Sequence, residues 1–230
     1  MKIYALAGGA LLLAIMGCSQ LPGKPRPGVE VPRPDSVMNF AVLYHENCAG
    51  CHGNNGKNGA AFDLANPVYL NWVDDSTLRK TIANGETDVQ MPAFVKSQGG
   101  ILTDAQIDAL VHGMRTDWPA ADAKPQGQVP PPYTTTLKGD ASRGAQVYQT
   151  ACARCHKQST QGITSPTYLA LVNDQSLRSL IIAGRPDVGQ PDWTGDDPGH
   201  PLTDQEVTDL VAWLASQRTM TPGQPYSQPH

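Results

Sequence analysis

At 230 residues the chain is long enough for one medium domain or two small ones, and its 40% hydrophobic content must be used efficiently to build a core. Twenty prolines and 22 glycines imply many turns and linkers, and domains near 80 residues bury a smaller fraction of their surface than larger ones and often need a staple, here expected to be a cofactor. A formal net charge of −4 lacks the basic stripe that nucleic acid demands and is compatible with a basic or neutral protein partner.

The N-terminus reads as a targeting segment. Lys2 gives a short positive start, and Tyr4 to Met16 is almost wholly apolar. That run is short of the ~20 residues of a membrane-spanning helix. It ends in Ile15-Met16-Gly17-Cys18, which resembles a bacterial lipobox, with polar Ser19-Gln20 following at once. Residues 1–17 are therefore expected to be a signal peptide and Cys18 a lipid anchor; the plainer alternative is an ordinary signal peptide with a chance cysteine. Such an anchor implies an extracytoplasmic, membrane-attached protein on the periplasmic side, with Ser19 slightly favouring an outer membrane. Residues 18–36, with prolines at 22, 25, 27, 32 and 34, read as an extended tether.

A first helix is expected over about 37–49, leading into Cys48-Ala49-Gly50-Cys51-His52. Residues 53–59 are glycine-rich. A middle helix is expected from near Asp75 to Gly85, a residue suited to a helix end. Gln90-Met91-Pro92 follows in a loop. Thr103 with Gln106 forms a capping-box pair, and Ile107, Leu110, Val111 and Met114 make the i, i+3, i+4, i+7 stripe of a buried final helix. Residues 119–138, containing Pro130-Pro131-Pro132, read as a linker that permits packed or separate domains.

The pattern then repeats. Tyr44-x3-Cys48-x2-Cys51-His52 recurs as Tyr148-x3-Cys152-x2-Cys155-His156, after a helix expected over about 141–153. Pro67, Asp75 and Gly85 recur as Pro166, Asp174 and Gly184. Thr103 and Gln106 recur as Thr203 and Glu206, before the stripe Val207, Leu210, Val211 and Leu214. One helix position differs: Gly144 stands where the first half has Phe40, so the two halves are expected to pack their terminal helices differently. Residues 219–230 read as a flexible tail.

C-x-x-C-H is the attachment signal for a c-type haem. The two thiols form thioethers to the haem vinyls, and the histidine supplies a nitrogen to the iron. Cys48, Cys51 and His52 would hold one haem; Cys152, Cys155 and His156 a second. The alternatives are weaker, since zinc needs four ligands and a redox disulfide needs a βαβ context. With Cys18 lipidated, the five cysteines leave no remainder.

The order helix, C-x-x-C-H, short helix, Met-Pro loop, final helix resembles class I cytochrome c in a diheme tandem form, over roughly 37–117 and 140–218. The resemblance implies an all-α fold of two small domains, residues 37–118 and 139–218, each of about three helices round a covalent haem. It also implies Met91 as sixth ligand of the first iron, with His45 and His112 as runners-up better explained as helix-surface or packed residues.

In the second half the same register puts Gln190 opposite Met91, and the remaining methionine, Met220, lies beyond the last helix. Gln190 binds iron weakly or borders an open or water-filled site in one reading; His200 completes a bis-histidine pair in another, although its register is wrong for the family pattern and favours an ordinary loop histidine before the last helix. Both predict a lower potential for the second haem. The function expected is single-electron transfer between respiratory-type redox partners, free-standing or within a larger complex. No catalytic constellation is recognisable, so the chain reads as a carrier and not an enzyme; a haem enzyme or sensor acting on a small ligand such as peroxide or nitric oxide is the competing reading.

Overall fold

The computed structural model describes residues 31–86, 90–118, 128–156, 162–195 and 200–218. The expected signal peptide, the lipobox with Cys18, most of the tether, Met220 and the tail lie outside the described residues. The chain divides into residues 1–36 and residues 37–230. In the first unit the described part forms one short turn, Pro34–Ser36. The rest of this section concerns the second unit.

Among the described residues there are nine α-helices and no strand beyond isolated bridges. The first half contains α1 (Phe40–Asn47), α2 (Ala49–His52), α3 (Pro67–Trp72), α4 (Asp75–Asn84) and α5 (Asp104–Thr116). The second contains α6 (Ala141–Val147), α7 (Pro166–Leu169), α8 (Asp174–Ala183) and α9 (Asp204–Ser216). A single π-turn over Tyr148–Cys152 prolongs α6. The short helices α2, α3 and α7 exceed the three per half expected. Of these, α3 and α7 start at a proline in the first turn, where the missing N–H costs nothing.

Local chemistry sets the ends. Asn39 caps α1 through a hydrogen bond from the Val42 N–H (3.0 Å), so this helix begins three residues later than its pattern suggested. Both capping boxes form: the Thr103 hydroxyl accepts from the Gln106 N–H and the Thr203 hydroxyl from the Glu206 N–H, each at 3.2 Å. Each such cap contributes about 1 kcal/mol. The predicted stripes on α5 and α9 are buried throughout.

The terminal helices of the two halves meet by opposite devices. In the second half Gly144 on α6 lies against α9; a Cβ there would stand 2.0 Å from the Asp209 carbonyl oxygen and 2.8 Å from Trp213 Cβ. In the first half the small residue is on the partner helix, where a Cβ on Gly113 of α5 would stand 2.1 Å from the Phe40 ring. Phe40/Gly113 and Gly144/Trp213 are thus large–small pairs with the roles of the helices exchanged. The α6–α9 contact also carries a buried carboxylate. Asp209 accepts from Arg143 Nε (2.7 Å), Arg143 Nη2 (2.9 Å) and the Asp140 N–H (2.7 Å). Burial opposes its ionisation, but these bonds prevail and hold its carboxyl below the usual range.

An arginine at the end of each last helix ties down the short helix of its half. Arg115 donates to the carbonyls of Leu70 and Val73 and pairs with Asp75. Arg218 donates to the carbonyls of Leu169 and Val172 and pairs with Asp174. The targets are equivalent in the repeat, although Arg218 stands just past the end of its helix, two residues beyond Ser216.

The linker is only partly a spacer. Its Pro131 carbonyl accepts from Trp72 Nε1 of the first half (2.8 Å), while the Pro132 carbonyl accepts from Arg178 of the second (2.6 Å). Tyr133 packs edge-on against Trp72, with ring centroids 5.1 Å apart. The halves also touch directly. Asn66 is 0% exposed; its Oδ1 accepts from the N–H groups of Val68 and Tyr69, capping α3. Its Nδ2 donates to the carbonyls of Ala183 (2.8 Å) and Gly184 (3.3 Å), at the end of α8. One side chain therefore satisfies a helix start in one half and a helix end in the other.

Candidate haem sites

The first C-x-x-C-H runs through the break between α1 and α2. Cys48 is half-buried and Cys51 exposed, both as free thiols. Burial pushes the Cys48 thiol up to about 12. Tyr44, one turn before Cys48, sends its hydroxyl to the Gly53 carbonyl (2.7 Å) and so pins the far end of the motif. Trp118 packs edge-on against Tyr44, with centroids 4.8 Å apart.

His52 is held by its Nδ1, which lies 2.7 Å from the Phe62 carbonyl oxygen. A carbonyl can only accept, so Nδ1 carries the proton and the Nε2 lone pair is left free. Burial lowers the imidazole pKa, and Arg185 of the second half lowers it further, against the Phe62 bond. A neutral, oriented imidazole with one free nitrogen is what a metal ligand requires.

Met91 is half-buried and packs against the core of the first half. Its carbonyl accepts from the Glu86 N–H (2.9 Å), just after α4. Gly85 makes that approach feasible twice over. Its φ of +69° suits glycine, and a Cβ would stand 2.5 Å from the Met91 carbonyl oxygen. His45 and His112 are both exposed on helix surfaces.

The second half repeats the arrangement. Cys152 is half-buried and Cys155 exposed, again as free thiols, and burial raises Cys152 to about 11. The Tyr148 hydroxyl donates to the His156 carbonyl (2.8 Å), and Tyr148 packs against Trp213 at 4.4 Å. Burial lowers the His156 pKa. The position matching Phe62, Gln161, lies outside the described residues.

Gln190 takes the place of Met91. It exchanges two backbone hydrogen bonds with Arg185 (2.9 and 3.0 Å), as Met91 pairs with Glu86; Gly184 has a φ of +70°, and a Cβ there would stand 2.5 Å from the Pro191 carbonyl oxygen. Its side-chain Nε2 donates to the Leu180 carbonyl (2.9 Å), which engages the amide nitrogen within its own half. His200 has a side chain 73% exposed, with Nε2 3.3 Å from Glu206 Oε1, so its imidazole is engaged at the surface.

The residues present fit covalent haem. Two pairs of unbridged thiols each precede an imidazole of lowered pKa. Among the described residues no cluster of three or more His, Cys, Asp or Glu side chains offers an alternative metal site. Trp193, 5% exposed, has its indole Nε1 buried without a partner, a donor suited to an anionic group such as a haem propionate. Sequence reasoning missed Trp193 and the Phe62 carbonyl; the first takes the place of Phe94, and a backbone oxygen has no signature in the sequence.

Comparison with known proteins agrees in both halves. Residues 35–112 match the family described as cytochrome C oxidase, cbb3-type, subunit III, and residues 141–218 match cytochrome c. The chain is 31% identical over 150 residues to the cbb3-type cytochrome c oxidase subunit CcoP of Azospirillum sp. (strain B510), a match covering 58% of this chain and 45% of that protein. It is 40% identical over 57 residues to the cbb3-type cytochrome c oxidase subunit FixP of Bradyrhizobium sp. (strain ORS 278), covering 24% of this chain and 19% of that protein. The chain thus spans less than half the length of these curated relatives. No described helix is long and apolar enough to cross a membrane. The repeated motif, the helical repeat and the two family matches make this chain a tandem of two cytochrome c domains, which implies two covalently bound haems c.

Proposed function

We propose that the protein passes single electrons, through two haems c, to or within a respiratory oxidase assembly of the cbb3 type. Cys48 and Cys51 bind the first haem and Cys152 and Cys155 the second, with His52 and His156 as proximal ligands. The observation that carries this reading is the doubled C-x-x-C-H, with the first imidazole neutral and aimed by the Phe62 carbonyl. When bound, haem c supplies a one-electron iron couple whose potential follows its axial ligands. The chain would attach the group through its thiols, orient its proximal nitrogen, and supply the apolar core that includes Leu43, Leu78 and Leu110. Met91 is the sixth ligand of the first iron. The domains extend over 37–118 and 139–218, and the lipid on Cys18 holds both at a membrane on the extracytoplasmic side. The oxidase association rests on the names of the relatives, CcoP and FixP.

The second haem has no thioether in the register of Met91. The amide oxygen of Gln190, in that register, is a weak ligand for iron, while His200 is occupied at the surface. This favours a low-potential second haem, open or weakly ligated on its distal side, and keeps binding of a small ligand such as nitric oxide as the second reading. Low-temperature EPR of the oxidised, haem-loaded protein tests both. One low-spin and one high-spin ferric signal is expected. Two low-spin signals would make the second iron firmly six-coordinate and remove the small-ligand reading. No covalent haem in a pyridine haemochrome assay would remove the electron-transfer reading altogether.

A further inference from the structure

The two candidate sites are joined by one residue. Arg185 exchanges backbone hydrogen bonds with Gln190, so its main chain forms one side of the distal turn of the second half. Its side chain leaves that half. Nη2 donates to the Gly59 carbonyl oxygen of the first half (3.1 Å). Gly59 lies directly on the first haem motif, where a Cβ would stand 2.3 Å from the Cys51 carbonyl oxygen and 2.4 Å from the His52 carbonyl carbon. Two backbone hydrogen bonds and one from the Arg185 side chain thus link the Gln190 segment to Gly59, which lies against the segment carrying His52.

Asp187 completes the clasp. Its carboxylate takes a two-pronged pair from Arg185, Nε to Oδ1 at 2.8 Å and Nη2 to Oδ2 at 2.7 Å. The same Oδ2 accepts from the Asn58 N–H (3.0 Å), so the glycine-rich loop of the first half is gripped at two successive residues. The Asp187 side chain is 1% exposed and that of Arg185 13%. Charges this buried are weakly screened by solvent, and their pairing is geometrically fixed. In the first half Glu86 holds the place of Arg185, so the clasp belongs to the second domain alone.

We infer that the Arg185–Asp187 pair of the second domain positions the haem-binding loop of the first and sets the redox potential of the first haem across the domain boundary. The inference rests on the reading of His52 as an iron ligand. Arg185 acts through Gly59 and through its field, so it is a positioning residue. A cation near the haem favours the ferrous state, and an anion the ferric state. The two members of the pair therefore have opposite effects on the same couple, which packing alone would not produce.

The experiment is a spectroelectrochemical titration of the full, haem-loaded chain, following the haem whose low-spin signal is lost in Met91→Ala. Arg185→Met is expected to lower its potential and Asp187→Asn to raise it. Each should change the ratio of oxidised to reduced haem at fixed potential by about tenfold, equal to ~59 mV for a one-electron couple. Arg185→Lys, which keeps the charge, should restore most of the first shift. Asp187→Asn is nearly isosteric and decides the matter alone where Arg185→Met does not fold. Unmoved potentials, or shifts of the same sign, in variants that retain both haems would overturn the inference. Loss of covalent haem from the unaltered chain is a different result, and would overturn the underlying reading and the inference with it.

Discussion

Gln190 and Met91 occupy one place in the repeat, each paired in a bridge with the residue five back, which itself follows a glycine of positive φ. A thioether sulfur favours ferrous iron and raises the potential, whereas an amide oxygen does so far less. Gln190→Met is therefore expected to raise the potential of the second haem and convert its ferric signal to low spin, read in an EPR-monitored redox titration. The cost is the bond to the Leu180 carbonyl, about 1 kcal/mol of stability. An unchanged potential would mean that the side chain at 190 does not face the iron. The equivalence of these residues was legible in the sequence, because Pro67, Asp75 and Gly85 all map forward with the same register. The orientation of His52 was not. Its acceptor is the main chain of Phe62, and any residue at 62 supplies the same carbonyl.

At the scale of helices, the exchange between Phe40/Gly113 and Gly144/Trp213 makes the two domains unequal in their tolerance of one added methyl. At Gly144 the obstacle is backbone, the Asp209 carbonyl at 2.0 Å, which shifts only if α6 and α9 separate. Separation would also stretch the Arg143–Asp209 pair. At Gly113 the obstacle is the half-buried Phe40 side chain and not main chain. Gly144→Ala should cost ~2–3 kcal/mol, the upper part of the range for overpacking, and Gly113→Ala about half as much. Denaturant unfolding measures both. In a Phe40→Ala background the cost of Gly113→Ala should nearly vanish; a cost that persists would show that the first pair is not complementary. The sequence exposed Gly144 and Phe40 as a mismatch between the repeats. It did not expose Gly113 and Trp213 as the compensation, because these lie on the last helix and the pairing exists only once α1 and α5, and α6 and α9, are in contact. The long amphipathic helices and their caps were legible because period and cap are local properties of a dozen residues. The helices α3 and α7 were too short to carry a period.

The whole of residues 37–230 is more than two beads on a proline thread. The linker carbonyls of Pro131 and Pro132 each serve a different half, and Ala183 of α8 joins the buried cluster of the first. Read as sequence, the proline run looked like a spacer, since nothing in it names Trp72 or Arg178 as partners. Asn66 is likewise an ordinary helix cap in sequence, and its second role depends on carbonyls more than a hundred residues away. The repeat itself offers the means to separate these roles. Ser165 stands in the second half where Asn66 stands in the first, and there the short helix forms with no side-chain cap bond. Asn66→Ser keeps a hydroxyl able to cap α3 but is too short to donate to Ala183 and Gly184. The loss of a buried donor to two carbonyls should cost ~1–3 kcal/mol. That cost should fall on the contact between the halves and leave each core intact. Urea unfolding followed at both haems is therefore expected to change from one shared transition to two, with haem content and the optical spectrum of each haem unchanged in the native state. A single transition, merely displaced to lower urea, would mean that α3 was weakened and that the linker and the Arg185 clasp suffice to couple the domains. Two transitions would make Asn66 the residue through which the stability of one cytochrome domain is felt by the other.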